Sequence, residues 1–172
     1  LERRRAGGWF AAVITIVSLG TLLMSFPRIG PITHTAEWLR LLSDVSSAAI
    51  LGGAMTAMLL GHWYLTAPTM SIDPLKRMTC YFGSAAVLRL LVSAAGLALA
   101  WGSIDDSTHT MWLWLRWTAG IGGPLIVAFM VWRILKYRNT QAATGVLFVG
   151  VIVTFIGEMT GSLLYHALST PL

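Results

Sequence analysis

Near its C-terminal end the chain reads Thr154-Phe155-Ile156-Gly157-Glu158-Met159-Thr160-Gly161-Ser162-Leu163-Leu164-Tyr165-His166, which sets a carboxylic acid inside an apolar run. At 3.6 residues per turn, Thr154, Glu158, Ser162 and Tyr165 or His166 share one helical face. An ionisable residue in hydrocarbon either serves a function or is paired. Arg89 lies in a second apolar run and is the natural partner for Glu158. Two readings follow. In one, Arg89 and Glu158 form a structural ion pair that decides which helices are neighbours. In the other, Glu158 is a proton or quinone-headgroup site, with Arg89 beside it and Tyr165 and His166 leading outward.

The Gly157-x-x-x-Gly161 spacing predicts close packing of a neighbouring helix beside Glu158. Four histidines raise a second chemistry, because a b-type haem takes two axial ligands, commonly two His or one His with a Met. His62 lies toward one interface, while His34, His109 and His166 lie toward the other, so His62 cannot pair with any of them. His62-Trp63-Tyr64 followed by Pro68 reads either as an aromatic interface belt or as a collar for a quinone ring or lipid headgroup. Arg116 stands among Trp112, Trp114 and Trp117, where cation–π packing or snorkelling toward headgroups accounts for it. Cys80 is the one cysteine, so a disulfide within the chain and a cysteine metal cluster are both excluded.

The elements that must hold these residues are membrane helices. Of 172 residues, 56% are hydrophobic and 11% charged, against about 25% charged in soluble domains, and the mean hydropathy is +0.71. The apolar runs approach the roughly 20 residues that cross a hydrocarbon core as helix, without the alternation of a barrel. Five spans are expected: about Trp9 to Phe26, Asp44 to Leu65, Met78 to Trp101, Met111 to Leu135 and Ala142 to Leu168. The segment Thr35 to Leu42 reads as a short interfacial helix carrying Trp38. In the second span, Gly53, Ala57 and Gly61 offer a flat ridge. In the fourth, Gly122-Gly123-Pro124 predicts a kink or local opening. Under these boundaries Arg89 lies about 11 residues into its span and Glu158 about 16, an offset of roughly 7 Å.

The formal net charge is +5, and its basic residues sit at the ends of apolar runs, which marks topology rather than a nucleic-acid partner. Arg3, Arg4, Arg5, then Lys76 and Arg77, then Lys136 and Arg138 fall on one side, while Asp105 and Asp106 fall on the other. The positive-inside rule then gives a cytoplasmic N-terminus and an outside C-terminus. The three arginines ahead of a long apolar run without a small-residue cleavage site read as a retained first helix. Phosphate-binding glycine loops, G-x-S-x-G, H-E-x-x-H and zinc-type cysteine pairs are all missing from the sequence.

At the last helix, Gly157-Glu158-x-x-Gly161-x-x-x-Tyr165 resembles a pattern in membrane anchor subunits of the dimethyl sulfoxide reductase type, and His62 with downstream Pro68 is similar to another stretch of them. The resemblance covers about thirty residues. Ser162 stands where that family usually has Arg and Leu164 where it usually has Phe, and five spans fall short of its usual eight. It implies quinol oxidation alongside a separate redox subunit.

The expectation is therefore an all-α integral membrane bundle of five transmembrane helices, one domain over residues 1–172, in a bacterial cytoplasmic membrane. Its function is expected to be that of a small anchor subunit in a respiratory or photosynthetic electron-transfer assembly. Its partners are the other membrane subunits and lipid. Quinone is the expected cofactor, ahead of haem b, with Glu158, Arg89, Tyr165, His166 and His62 as its candidate residues. The alternatives are a scaffold that holds lipid or pigment and a small proton-coupled transporter.

Overall fold

A computed structural model describes residues 2–24, 34–66, 71–100 and 107–168. Pro27, Pro31, Pro68, Asp105 and Asp106 lie outside the described residues, as do the side chains of Arg3, Arg4, Arg5, His34 and Glu37. The chain forms two compact units, Leu1–His34 and Thr35–Leu172. The first is described by helix α1 (Glu2–Met24). Its strongly apolar part, Ala12–Thr21, is short, and Trp9, Ile14, Ile16 and Val17 are exposed.

In the second unit the helices are α2 (His34–Thr66), α3 (Asp73–Ala100), α4 (Ser107–Leu115), α5 (Gly123–Lys136) and α6 (Thr140–Leu168), with a π-helical segment at Arg116–Gly122 joining α4 to α5. Four stretches are long and apolar enough to cross a membrane: Trp38–Thr66, Asp73–Leu99, Thr108–Lys136 and Thr140–Ala167. The protein is thus all-helical over its described residues and built as an integral membrane bundle.

Several boundaries differ from those expected from sequence. The segment proposed as a separate interfacial helix is the opening of α2, since nothing between His34 and Thr66 interrupts the backbone ladder. Helix α3 begins at Asp73, with an acidic residue in its first turn and Pro74 where a missing N–H costs nothing. Helix α6 follows a tight turn in which Arg138 takes φ 57° and the Asn139 Oδ1 accepts from Ala142 N–H at 3.0 Å, the usual side-chain cap of a helix start.

The kink foreseen at Gly122-Gly123-Pro124 takes the form of the π segment. Pro124 has no N–H to donate, and the Gly123 N–H reaches back to the Thr118 carbonyl, five residues upstream. Such bulges tend to occur where function requires a side chain to be re-aimed.

The helices meet along seams spaced three and four residues apart, the knobs-into-holes spacing of left-handed bundles. In α3 the buried seam is Leu75, Thr79, Phe82, Ala86, Arg89, Ser93 and Gly96; in α6 it is Ala143, Leu147, Gly150, Thr154, Gly157, Gly161 and Leu164. The Gly53–Ala57–Gly61 ridge of α2 is used as expected. A Cβ on Gly53 would press on the Tyr81 ring at 3.2 Å, and one on Gly61 would stand 2.8 Å from Thr144 Oγ1. Helices α2 and α6 run in a constant antiparallel register, pairing Arg40 with Tyr165, Ser47 with Glu158 and Gly61 with Thr144. One apolar core, with Ile50, Phe82, Leu75, Val131, Leu135 and Leu147 among its most buried members, fills the end of the bundle that holds Asp73 and Thr140.

Candidate functional site

Four helices send polar groups to one level, about ten residues from the ends at His34, Ala100, Ser107 and Leu168, or about 15 Å in at 1.5 Å per residue. Arg89 from α3 grips Glu158 from α6 with two parallel bonds, Nε to Oε1 at 3.0 Å and Nη2 to Oε2 at 2.9 Å. This bidentate fork is the strong form of the pair. Its Nη1 donates to α2, reaching Ser43 Oγ at 2.8 Å, Ser46 Oγ at 3.2 Å and the Ser43 carbonyl at 3.2 Å. The Ser47 hydroxyl donates to Glu158 Oε2. The long offset predicted between Arg89 and Glu158 is largely absent, because both helices start earlier than expected and the two residues then lie about two positions apart in depth, roughly 3 Å.

Arg116 completes the cluster, and here the structure corrects the sequence reading. It does not snorkel outward among tryptophans: its side chain is fully buried, and Nη1 donates to Glu158 Oε1 at 2.9 Å and to the Gly157 carbonyl at 2.8 Å. Two features make room for it. It opens the π segment, and it faces the two glycines of α6. A Cβ on Gly161 would stand 3.0 Å from the Arg116 Cζ, and one on Gly120 would stand 2.7 Å from the Gly157 Cα. The small-residue spacing thus brings backbone against backbone beside Glu158, and the guanidinium occupies the slot.

The cluster holds two arginines and one carboxylate, both arginines almost wholly buried and Glu158 side-chain exposure at 9%. Each charge removed from water carries a desolvation cost of several kcal/mol, offset only by close pairing and by hydrogen bonds to the remaining donors. Arg89 is so satisfied. Arg116 is not: its Nε has no hydrogen-bond partner, and Nη2 has one long contact, 3.4 Å to Ser93 Oγ.

The other residues singled out from sequence are placed apart from this cluster. Thr154 is buried and donates to the Gly150 carbonyl at 2.7 Å, whereas Ser162 and His166 are exposed. The single polar face drawn through Glu158, Ser162 and His166 is therefore divided, because the buried seam of α6 follows the small residues. Tyr165 lies two turns outward of Glu158 and carries Arg40 over its ring at 4.9 Å. His166 packs on Tyr165 at 6.0 Å between ring centroids. His62, exposed near the far end of α2, stands edge-on to Phe148 at 6.4 Å. Among the described residues no three His, Cys, Asp or Glu side chains converge as a metal site.

Among the described residues, apolar side chains flank the cluster along the bundle axis. Toward Asp73 and Thr140 it meets the apolar core, and toward the other end Leu164 packs with Leu97, Trp112 and Leu113. Only Ser47 and Glu158 are partly exposed, where α2 meets α6. The sequence matches no protein-family model. Among curated proteins none matches it. No solved structure matches the fold.

Proposed function

We propose that this chain is a membrane-embedded anchor subunit of an electron-transfer assembly, and that it contributes a site for quinone from the lipid phase. The observation that carries the reading is a charged cluster at membrane depth that, among the described residues, is flanked along the bundle axis by apolar side chains and partly exposed at the side, at Ser47 and Glu158. A ligand arriving laterally must be soluble in lipid yet carry polar atoms, and a quinone has both properties. The apolar side chains that flank the cluster along the axis also argue against the proton-coupled transporter, which would need its acid reachable from both ends. The resemblance of the Gly157–Tyr165 stretch to quinol-oxidising anchor subunits points the same way.

In this reading α1 is the first of five spans. Lys76, Arg77, Arg133, Lys136 and Arg138 gather at the end of the bundle that holds His62 and the Trp132–Lys136 stack. That end faces the cytoplasm of a bacterial cell, and the C-terminus lies outside.

Purification of the tagged chain from its native membrane in mild detergent tests the proposal. Redox-active subunits and extractable quinone are expected to travel with it. A chain that emerges free of both overturns the proposal. The scaffold reading retains one specific support, the full engagement of Arg89 and of both Glu158 oxygens. The Glu158→Gln variant separates the two readings: an assembly that forms yet loses quinol turnover supports the quinone reading, and normal turnover in an intact assembly supports the scaffold.

A further inference from the structure

At the end of the bundle that holds Asp73 and Thr140, the cationic side chains of Lys76, Arg77, Arg133, Lys136 and Arg138 are exposed. Residues 62–80 and 125–150, which build that end, contain a single acid, Asp73. Asp73 stands in the first turn of α3, where the helix N-terminus favours it. Both ion pairs among the described residues lie at Glu158 instead, so none of these cations is held by a carboxylate there. Orientation in the membrane explains why cations gather at one end. It does not explain how two of them are placed.

Helices α3 and α5 lie side by side, and a Cβ on Gly83 would stand 3.5 Å from the Ala128 Cβ. They run antiparallel, since Leu75 at the start of α3 and Leu135 at the end of α5 share one apolar core. Seven residues from that contact toward the bundle end, Lys76 is level with Leu135, so Lys76 and Lys136 differ in depth by only about 1.5 Å. The same register sets Cys80 beside Trp132 and Gly83 beside Phe129. Spacings of four and then three residues on both helices keep these side chains on the two edges that border the α3–α5 seam. Cys80, Trp132 and Phe129 are exposed, and Gly83, with no side chain, leaves the seam shallow. The Lys136 Nζ sits 3.8 Å from the Trp132 ring centroid, and the Trp132 ring leans on Phe129 at 6.1 Å and 33°. Two of the membrane-crossing stretches end at Asp73 and Lys136, which sets the two lysines at headgroup level and the two rings just inside the hydrocarbon.

We propose that the α3–α5 edge binds an anionic phospholipid, with its phosphate between the Lys76 and Lys136 ammonium groups and an acyl chain along Trp132, Phe129 and Gly83. Two ammonium groups at one depth on adjacent helices suit a single phosphate, and basic sites between membrane helices are a general means of holding acidic headgroups. The apolar strip directly below the cations selects an amphiphile. A free phosphate or an acidic protein segment would use the lysines and leave the rings uncovered. The site is separate from the Glu158 cluster and does not depend on the quinone reading.

The test titrates the full chain in detergent with phosphatidylglycerol and, separately, with phosphatidylcholine of the same acyl chains, and counts bound lipid by native mass spectrometry. Phosphatidylglycerol is expected to bind on the order of tenfold more tightly. The double variant Lys76→Gln, Lys136→Gln should lose that preference. The double variant Arg77→Gln, Arg133→Gln removes the same charge from the outward faces of the same helices and should keep most of it. Trp132→Ala keeps both lysines and should weaken binding several-fold. Equal binding of the two lipids by the unaltered chain overturns the proposal. So does an equal loss in the two double variants with helix content unchanged by circular dichroism, because the attraction would then be diffuse. Displacement of phosphatidylglycerol by inorganic phosphate makes the occupant a free anion and overturns the lipid assignment.

Discussion

Toward the Asp73 and Thr140 ends, the buried seam of α3 carries Leu75, Thr79 and Phe82 and that of α6 carries Ala143, Leu147 and Gly150. Toward the Ala100 and Leu168 ends the same spacing carries Arg89 and Ser93 in α3 and, in α6, Gly157 and Gly161, which face Gly120 and Arg116, with Glu158 alongside. The first region packs apolar side chains, which in lipid gain little by leaving the acyl chains, so close contact alone holds it. Many sequences would serve there. The second region is held by charge and by backbone contact: Arg89 grips the Glu158 carboxylate, and Gly157 meets Gly120 where no side chain would fit. The apolar half makes the bundle compact, and the polar half decides which helices lie side by side.

If that contrast is right, substitutions in the two halves should differ in severity. The largest loss is expected for Glu158→Gln, which leaves two buried arginines facing each other; breaking such a network costs about 3–5 kcal/mol, read as a lowered midpoint in a detergent unfolding titration. Gly157→Ala comes next. Its Cβ would collide with the Gly120 backbone, which cannot rotate away, and overpacking of this kind costs about 1–3 kcal/mol; circular dichroism should show helices retained while the midpoint falls. Leu147→Ala, in the apolar half, should cost about 2 kcal/mol, at the low end for a buried leucine because the transfer contribution is small in lipid. Arg40→Ala removes one cation–π contact near the bundle end and should cost about 0.5 kcal/mol. A Leu147→Ala loss equal to that of Glu158→Gln would erase the distinction between the halves.

The helical membrane architecture and the Arg89–Glu158 contact were legible in the sequence for one reason: an ionisable side chain in hydrocarbon must find a partner, and each apolar run offered few. Gly157 and Gly161 likewise pointed to a close neighbour beside the acid. Arg116 was not legible, on two physical grounds. Placing the helix start at Met111 rather than Ser107 put Arg116 at headgroup level, and the π segment shifts the angular phase that 3.6-residue periodicity assumes. A similar error of phase put Ser162 and His166 on the same face as Glu158. There the seam is set by small residues that admit a neighbouring backbone, a stronger constraint in lipid than polarity. Glycines at positions 120, 157 and 161 were the available signal, since three glycines facing one another leave space that a long side chain from the next turn can fill.

The central claim is that Glu158 neutralises two arginines which would otherwise repel within the bundle. It is tested most directly by comparing Glu158→Gln with the triple substitution Glu158→Gln, Arg89→Met, Arg116→Met in the same unfolding titration. Replacing a whole buried ionic group by apolar side chains of similar volume is often neutral or stabilising, whereas removing one member is not. The account predicts a large drop for the single variant and recovery of most of that drop in the triple. A Glu158→Gln protein as stable as the unaltered chain would contradict it.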